Sequence, residues 1–228
     1  MGKRTLILAA SALSLLGVAR AQDDLNSLLP KATAGDPAAQ VKVGDIYAIG
    51  QGVHRDTTEA AKWFKKAADQ KYAAGQYRLG ILYELGRGVP REPQTALRFY
   101  KLAADQGYAD AEYDLAKTYE RGQGVPKDDV AAAKWYLSAA QHNKKEAQYM
   151  TGSLYEQGRG VKQSYTDALK WYTAAADQSD SEAQYRIGRL YEQGLGVPQS
   201  NTRALEWYHK SAEQGNVEAQ EALHNLEK

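Results

Sequence analysis

Apolar and polar positions along the chain alternate with a helical period, and the whole alternation returns every 36 residues. Ala39, Val43, Ile46 and Tyr47 fall on one side of a helical wheel, the three-and-four spacing of an amphipathic helix. Ala147, Met150, Leu154 and Tyr155 repeat that spacing further on. A Gly-x-Gly-Val element closes each such segment, starting at Gly50, Gly86, Gly122, Gly158 and Gly194. Tyr47, Tyr83, Tyr119, Tyr155 and Tyr191 stand three residues before these glycines. An aromatic pair follows each one, at Trp63-Phe64, Phe99-Tyr100, Trp135-Tyr136, Trp171-Tyr172 and Trp207-Tyr208. A fixed period in this range predicts stacked supersecondary units, not one globular core.

Each unit is predicted to hold two helices. The paired glycines end the first, because glycine takes left-handed backbone angles without steric cost. The second starts behind Asp56, Glu92, Asp128, Ser164 or Ser200, most of them good N-caps, with Pro93 at the first helical position after Glu92. In the fourth unit the second helix is expected to bury Ala168, Leu169, Trp171, Tyr172, Ala175 and Ala176, small alanines interlocking with large rings. Asp24 to Ala34 reads as an orphan second helix, and Val217 to Glu227 as a first helix with Ala219, Leu223 and Leu226 at core positions. Such half-units close an otherwise open core. The expected fold is all-α, an α/α superhelical solenoid of about twelve helices. Its units run over about 38–73, 74–109, 110–145, 146–181 and 182–216, with a C-terminal cap over 217–228.

The N-terminus has a different grammar. Lys3 and Arg4 precede an apolar run from Leu6 to Val18, and Ala19-Arg20-Ala21 follows as a small-x-small cleavage signal. Residues 1–21 therefore read as a secretory signal peptide, with the mature chain, 22–228, starting at Gln22. The expected location is a bacterial periplasm, with secretion as the alternative. No cysteine follows the apolar run, which excludes lipid anchoring there. Three of the 29 basic residues (Lys3, Arg4 and Arg20) lie in the signal, leaving 26 against 28 acidic ones, a net charge of −2. That balance argues against nucleic acid or an anionic membrane surface as partner. No later apolar stretch is long enough to span a bilayer. With no cysteine at all, stability must come from packing.

The chain offers little chemistry. Gly158-Arg159-Gly160 resembles a phosphate loop only superficially, since a helix and not a strand precedes it and no Gly-Lys-Ser/Thr ending follows. His54, His142, His209 and His224 share no spacing, and neither H-E-x-x-H nor Gly-x-Ser-x-Gly occurs. Thr151-Gly152-Ser153 lies inside a helical segment, and Asp128-Asp129 sits at a helix start, where the dipole favours negative charge. We therefore expect no catalytic residues, no metal ligands, no cofactor and no enzyme.

The run Ala183-Gln184-Tyr185-Arg186-Ile187-Gly188-Arg189-Leu190-Tyr191-Glu192-Gln193-Gly194-Leu195-Gly196-Val197 resembles the Sel-one-like repeat, a relative of the tetratricopeptide repeat. Five consecutive copies cover nearly the whole mature chain. Departures are small: Ala116 replaces the mid-helix Gly, Val41 the Tyr and Ser211 one Ala. The resemblance implies a right-handed superhelix that serves as a scaffold for protein–protein contacts. Bacterial members are often exported. Some act in envelope assembly or signalling, and some are immunity proteins that neutralise phospholipase effectors of contact-dependent, type VI-like secretion. Many members are cysteine-rich; this chain is not.

The resemblance also implies that the first helices line a concave groove. Two rows recur on the wheel face opposite their core: Tyr77, Tyr113, Tyr149 and Tyr185, and Glu84, Glu120, Glu156 and Glu192. They serve either partner contact or packing and hydrogen bonding between units. Positions that vary between units are the stronger recognition candidates. In the first two units these are Lys42, Asp45, Ile49, Arg78, Ile81 and Leu85. In the third and fourth they are Asp114, Lys117 and Arg121, then Met150, Ser153 and Gln157; in the fifth, Arg186, Arg189 and Gln193. Arg, Tyr and Met are enriched in interface cores. The expected partner is another protein, either a secreted lipase-type effector held by an immunity protein or a component of an envelope complex. A glycan or peptidoglycan fragment stacking on the tyrosine row is the alternative, and a structural spacer comes third.

Overall fold

A computed structural model describes residues 24–227. The expected signal segment, residues 1–21, and the start at Gln22 lie outside the described residues. Among the described residues there are twelve helices and no strand. Helix α1 covers 24–33. It is followed by α2 (Pro37–Ile49), α3 (Thr57–Asp69), α4 (Ala73–Leu85) and α5 (Pro93–Ala104). Then come α6 (Ala109–Arg121), α7 (Asp129–Gln141), α8 (Lys145–Gln157), α9 (Tyr165–Asp177), α10 (Ser181–Gln193), α11 (Asn201–Glu213) and α12 (Val217–Leu226). The chain forms two compact units, one ending at Gln106 and the other beginning at Gly107. The first holds α1–α5 and the second α6–α12.

Helix ends follow the local chemistry of the sequence. Asp56 Oδ1 accepts from the backbone N–H groups of Thr58 and Glu59 at 2.9 Å each, and Asp128 does the same for Val130 and Ala131. Ser164 and Ser200 accept from the N–H groups of Asp167 and Arg203. Glu92 differs: its side chain caps no backbone N–H and accepts instead from Thr95 Oγ1 at 2.8 Å. Pro93, with φ preset for the first turn, begins that helix.

The two glycines of each turn do different work. Gly158 caps α8 in the left-handed region (φ 67°), its N–H donating to the Leu154 carbonyl. Gly160 (φ 71°) lies where the turn presses on the start of the preceding repeat's second helix, and a Cβ there would sit 2.0 Å from the Asp129 carbonyl oxygen. Only glycine permits that approach.

Mid-helix glycines make room for rings. A Cβ on Gly44, Gly80, Gly152 or Gly188 would meet Phe64, Tyr100, Tyr172 or Tyr208 at 2.4–2.8 Å. In α6, Ala116 takes this position beside α7, and it and Tyr136 are both buried. Tyr172 is fully buried, as are Ala168 and Ala175. Trp171 and Leu169, both expected inside, are half-buried instead. Successive helical residues point about 100° apart, so one groove cannot take both members of an aromatic pair. Trp63 is an exception, buried by α1 in a cluster with Leu25, Ala32, Val43 and Ile46. At the other end α12 buries Ala219 against Tyr208, while Leu223 and Leu226 are half-buried.

Candidate partner-binding face

The side chains that repeat most regularly are taken up by internal bonds. Glu84, Glu120, Glu156 and Glu192 end the first helices and accept from the hydroxyls of Tyr100, Tyr136, Tyr172 and Tyr208 at 2.6, 2.7, 2.5 and 2.5 Å. Burial first, and the neighbouring carboxylate second, hold the Tyr136, Tyr172 and Tyr208 phenols well above their ordinary pKa range. Tyr77, Tyr113, Tyr149 and Tyr185 lie against the same four rings, with centroids 5.6–5.7 Å apart. Tyr77 is buried and the other three are half-buried. Both rows thus pack the helices of one repeat against each other, and Glu120 and Tyr149 also reach the next repeat, at Arg159 and Glu182.

A second repeating device escaped the sequence reading. Buried Gln40, Gln76, Gln148 and Gln184 accept at Oε1 from Gln70, Gln106, Gln178 and Gln214 at 2.7–2.8 Å. Each bond ties the start of a first helix to the end of its second helix. The third repeat substitutes Glu112, 1% exposed, which accepts from Ser138 Oγ at 2.6 Å and faces His142 Nδ1 at 2.8 Å. The 36-residue recurrence of these glutamines was the available signal.

The varying positions have a different fate. In the first compact unit Asp45, Ile49, Arg78, Ile81 and Leu85 line one open cavity of about 320 Å³. Ile49 is 71% and Leu85 48% exposed, a costly display for apolar side chains unless something covers them. Arg78 Nε pairs with Asp45 Oδ1 at 2.9 Å, and burial pushes the Asp45 carboxyl up despite that partner. Arg55 and Arg87, loop residues that sequence reasoning passed over, complete the rim. Lys42 is exposed and shares an adjoining hollow with Asp45 and Leu28.

In the second unit most of the chosen residues satisfy one another. Lys117 pairs with Asp114 at 3.1 Å and lies 5.2 Å over the Tyr113 ring. Arg186 pairs with Glu182 at 3.2 Å and lies over Tyr185, while the Tyr149 hydroxyl approaches Glu182 at 3.5 Å. Gln157 donates to Ser153 at 2.7 Å. Met150 packs on the core around Tyr136, Arg189 is half-buried, and Arg121 and Gln193 are exposed. Among the described residues no helix is long and apolar enough to cross a membrane.

The geometry has counterparts among known proteins. The Sel1 repeat model matches residues 37–72, 73–108, 109–144, 145–180 and 181–216. A protective antigen with an SLR fold from uropathogenic Escherichia coli is 38% identical, with TM-score 0.84 over 89% of this chain. The match spans 43% of that protein, so the present chain corresponds to less than half its length. A Sel1 repeat protein from Oxalobacter formigenes is 36% identical (TM-score 0.74; 85% of this chain, 79% of that one). An immunity protein from Pseudomonas aeruginosa shares the fold at 21% identity (TM-score 0.54; 86% and 74%). No curated protein matches the chain in sequence. Five consecutive matches, each with the same two-glycine turn, give an all-α helical solenoid, and the chain belongs to the Sel1 repeat family.

Proposed function

We propose that this chain is an exported, non-enzymatic scaffold that holds a protein partner on the face of its first helices. One observation carries the reading. Residues that recur every 36 positions are spent on internal bonds, whereas the varying Ile49 and Leu85 are left exposed around a cavity. A face whose framework is constant and whose outward residues differ is what a recognition surface built from repeats requires. In the second unit Arg186 and Arg189 occupy the repeat positions that Arg78 and Ile81 occupy in the first. Export rests on the signal-like residues 1–21.

The sharper form is an immunity protein that neutralises a phospholipase-type effector. The resemblance suggests it, and the fold is also that of a solved immunity protein, a likeness that extends to fold alone. A role in envelope assembly or signalling uses the same face with a different partner. The test is capture from an envelope extract with the full chain and with Arg186→Glu/Arg189→Glu. The reading expects the variant to stay helical and lose the partner; undiminished capture would move binding off this face.

A further inference from the structure

The first repeat departs from the others at two linked positions. Where later repeats have Tyr100, Tyr136, Tyr172 and Tyr208 bonded to Glu84, Glu120, Glu156 and Glu192, the first has Phe64 and Ala48. Both partners are gone together, so no buried hydroxyl or carboxylate is left unsatisfied. The result is an apolar floor: Ala48, Phe64, Ile81 and Leu82 line the cavity beneath exposed Ile49 and Leu85.

A charge imbalance sits over that floor. Arg159 occupies the same repeat position as Arg87, two repeats on, and pairs with Glu120 of the repeat before it. The position matching Glu120 beneath Arg87 is Ala48. Arg87 therefore lacks the carboxylate that Arg159 has, and among the described residues neither its guanidinium nor that of Arg55 makes an ion pair or hydrogen bond, while Asp45 is engaged by Arg78. Two free guanidinium groups at the rim of an apolar hollow call for an anion attached to an apolar group, and a guanidinium fork matches a carboxylate best.

We infer that this cavity docks a segment of a protein partner in which an apolar side chain stands beside a carboxylate. The apolar group rests on Phe64, Ile81 and Leu85, and the carboxylate meets Arg87 and Arg55 as Glu120 meets Arg159. A volume of about 320 Å³, at the small end of ligand clefts, accommodates side chains of a short segment. The inference rests on the protein-binding reading above and adds the partner's chemistry.

The test is fluorescence anisotropy of short labelled peptides with the full chain. One peptide alternates Leu and Glu, a second has Gln for every Glu, and a third has Ser for every Leu. The Leu/Glu peptide should bind about tenfold more tightly than either control, the scale of one charge-assisted contact. Ala48→Glu, which installs the missing carboxylate beneath Arg87, and Arg87→Gln should each remove that preference, and Arg159→Gln should keep it. Circular dichroism checks that each variant is helical, and Arg87→Gln decides the matter if Ala48→Glu is misfolded. Equal binding of the Glu and Gln peptides, no binding of any peptide, or full binding by a folded Ala48→Glu overturns the inference. Capture of the native partner separates the two levels. A partner retained by Ala48→Glu but lost by Arg186→Glu/Arg189→Glu sinks this docking point and leaves the scaffold standing, and a partner retained by both sinks both.

Discussion

Tyr172 and Glu156, sixteen residues apart on the two helices of one repeat, share a hydrogen bond of 2.5 Å. Gly152 leaves room for the ring, since a Cβ there would stand 2.6 Å from it. The acceptor is a carboxylate, so Tyr172→Phe, which deletes this bond to half-buried Glu156, should cost about 1.5–3 kcal/mol. Tyr172→Phe with Glu156→Ala imitates the Phe64/Ala48 pair of the first repeat. It should cost less than the sum of the single changes by about 1 kcal/mol. Urea denaturation of the four proteins checks this, and strict additivity would contradict it.

The same hydroxyls make stability depend on alkaline pH. Tyr136, Tyr172 and Tyr208 have folded pKa values raised above their unfolded ones. In the unfolded chain the phenols lose protons near pH 10, while the folded chain still holds them, so the unfolded state gains and stability falls as pH rises beyond about 10. Denaturation midpoints should be insensitive to these groups at neutral pH and drop beyond about pH 10. The triple Tyr→Phe variant should drop less steeply; an equal slope would mean that the phenols are not protected.

Gly160 and Gly215 both have positive φ, yet a Cβ on Gly160 strikes the Asp129 carbonyl, whereas one on Gly215 meets nothing within 4 Å. Both alanine substitutions carry the left-handed penalty of about 1–2 kcal/mol. Gly160→Ala should cost about 1 kcal/mol or more beyond Gly215→Ala, since overpacking is added. Thermal melts of the two variants compare them directly, and equal losses would remove the close approach between repeats from the account.

Glu112 is a buried carboxylate in a place where four other repeats use glutamine. Removing His142 leaves it with Ser138 alone, so His142→Ala should destabilise by about 1–3 kcal/mol. Glu112→Gln with His142→Gln recreates the Gln–Gln bond and should return to within about 1 kcal/mol of the parent. Unfolding free energies of the three proteins decide, and a double variant weaker than His142→Ala would contradict the equivalence.

Much of this fold was legible in the sequence because a repeat shows each rule five times. Asp56, Asp128, Ser164 and Ser200 announced helix starts, and the paired glycines announced the turns. The choice between Trp171 and Tyr172 was not legible. Both are large and adjacent, and only the register against Gly152 selects Tyr172. The glutamine bonds were overlooked because polar residues at a helix start read as solvated. Of the candidate face, Asp45, Arg78, Ile81 and Leu85 came from the wheel. Arg55 and Arg87 did not, since a wheel cannot show which loop the stacking lays over which helix.

The central claim is that first-helix residues touch another protein. A photo-crosslinking side chain placed in turn at Ile81, Lys117 and Arg189, and at the exposed second-helix positions Lys62 and Arg98, tests it in the living cell. The account predicts one and the same protein adduct from the three first-helix positions and none from Lys62 or Arg98. Adducts confined to Lys62 and Arg98, or no protein adduct from any first-helix position, would contradict it.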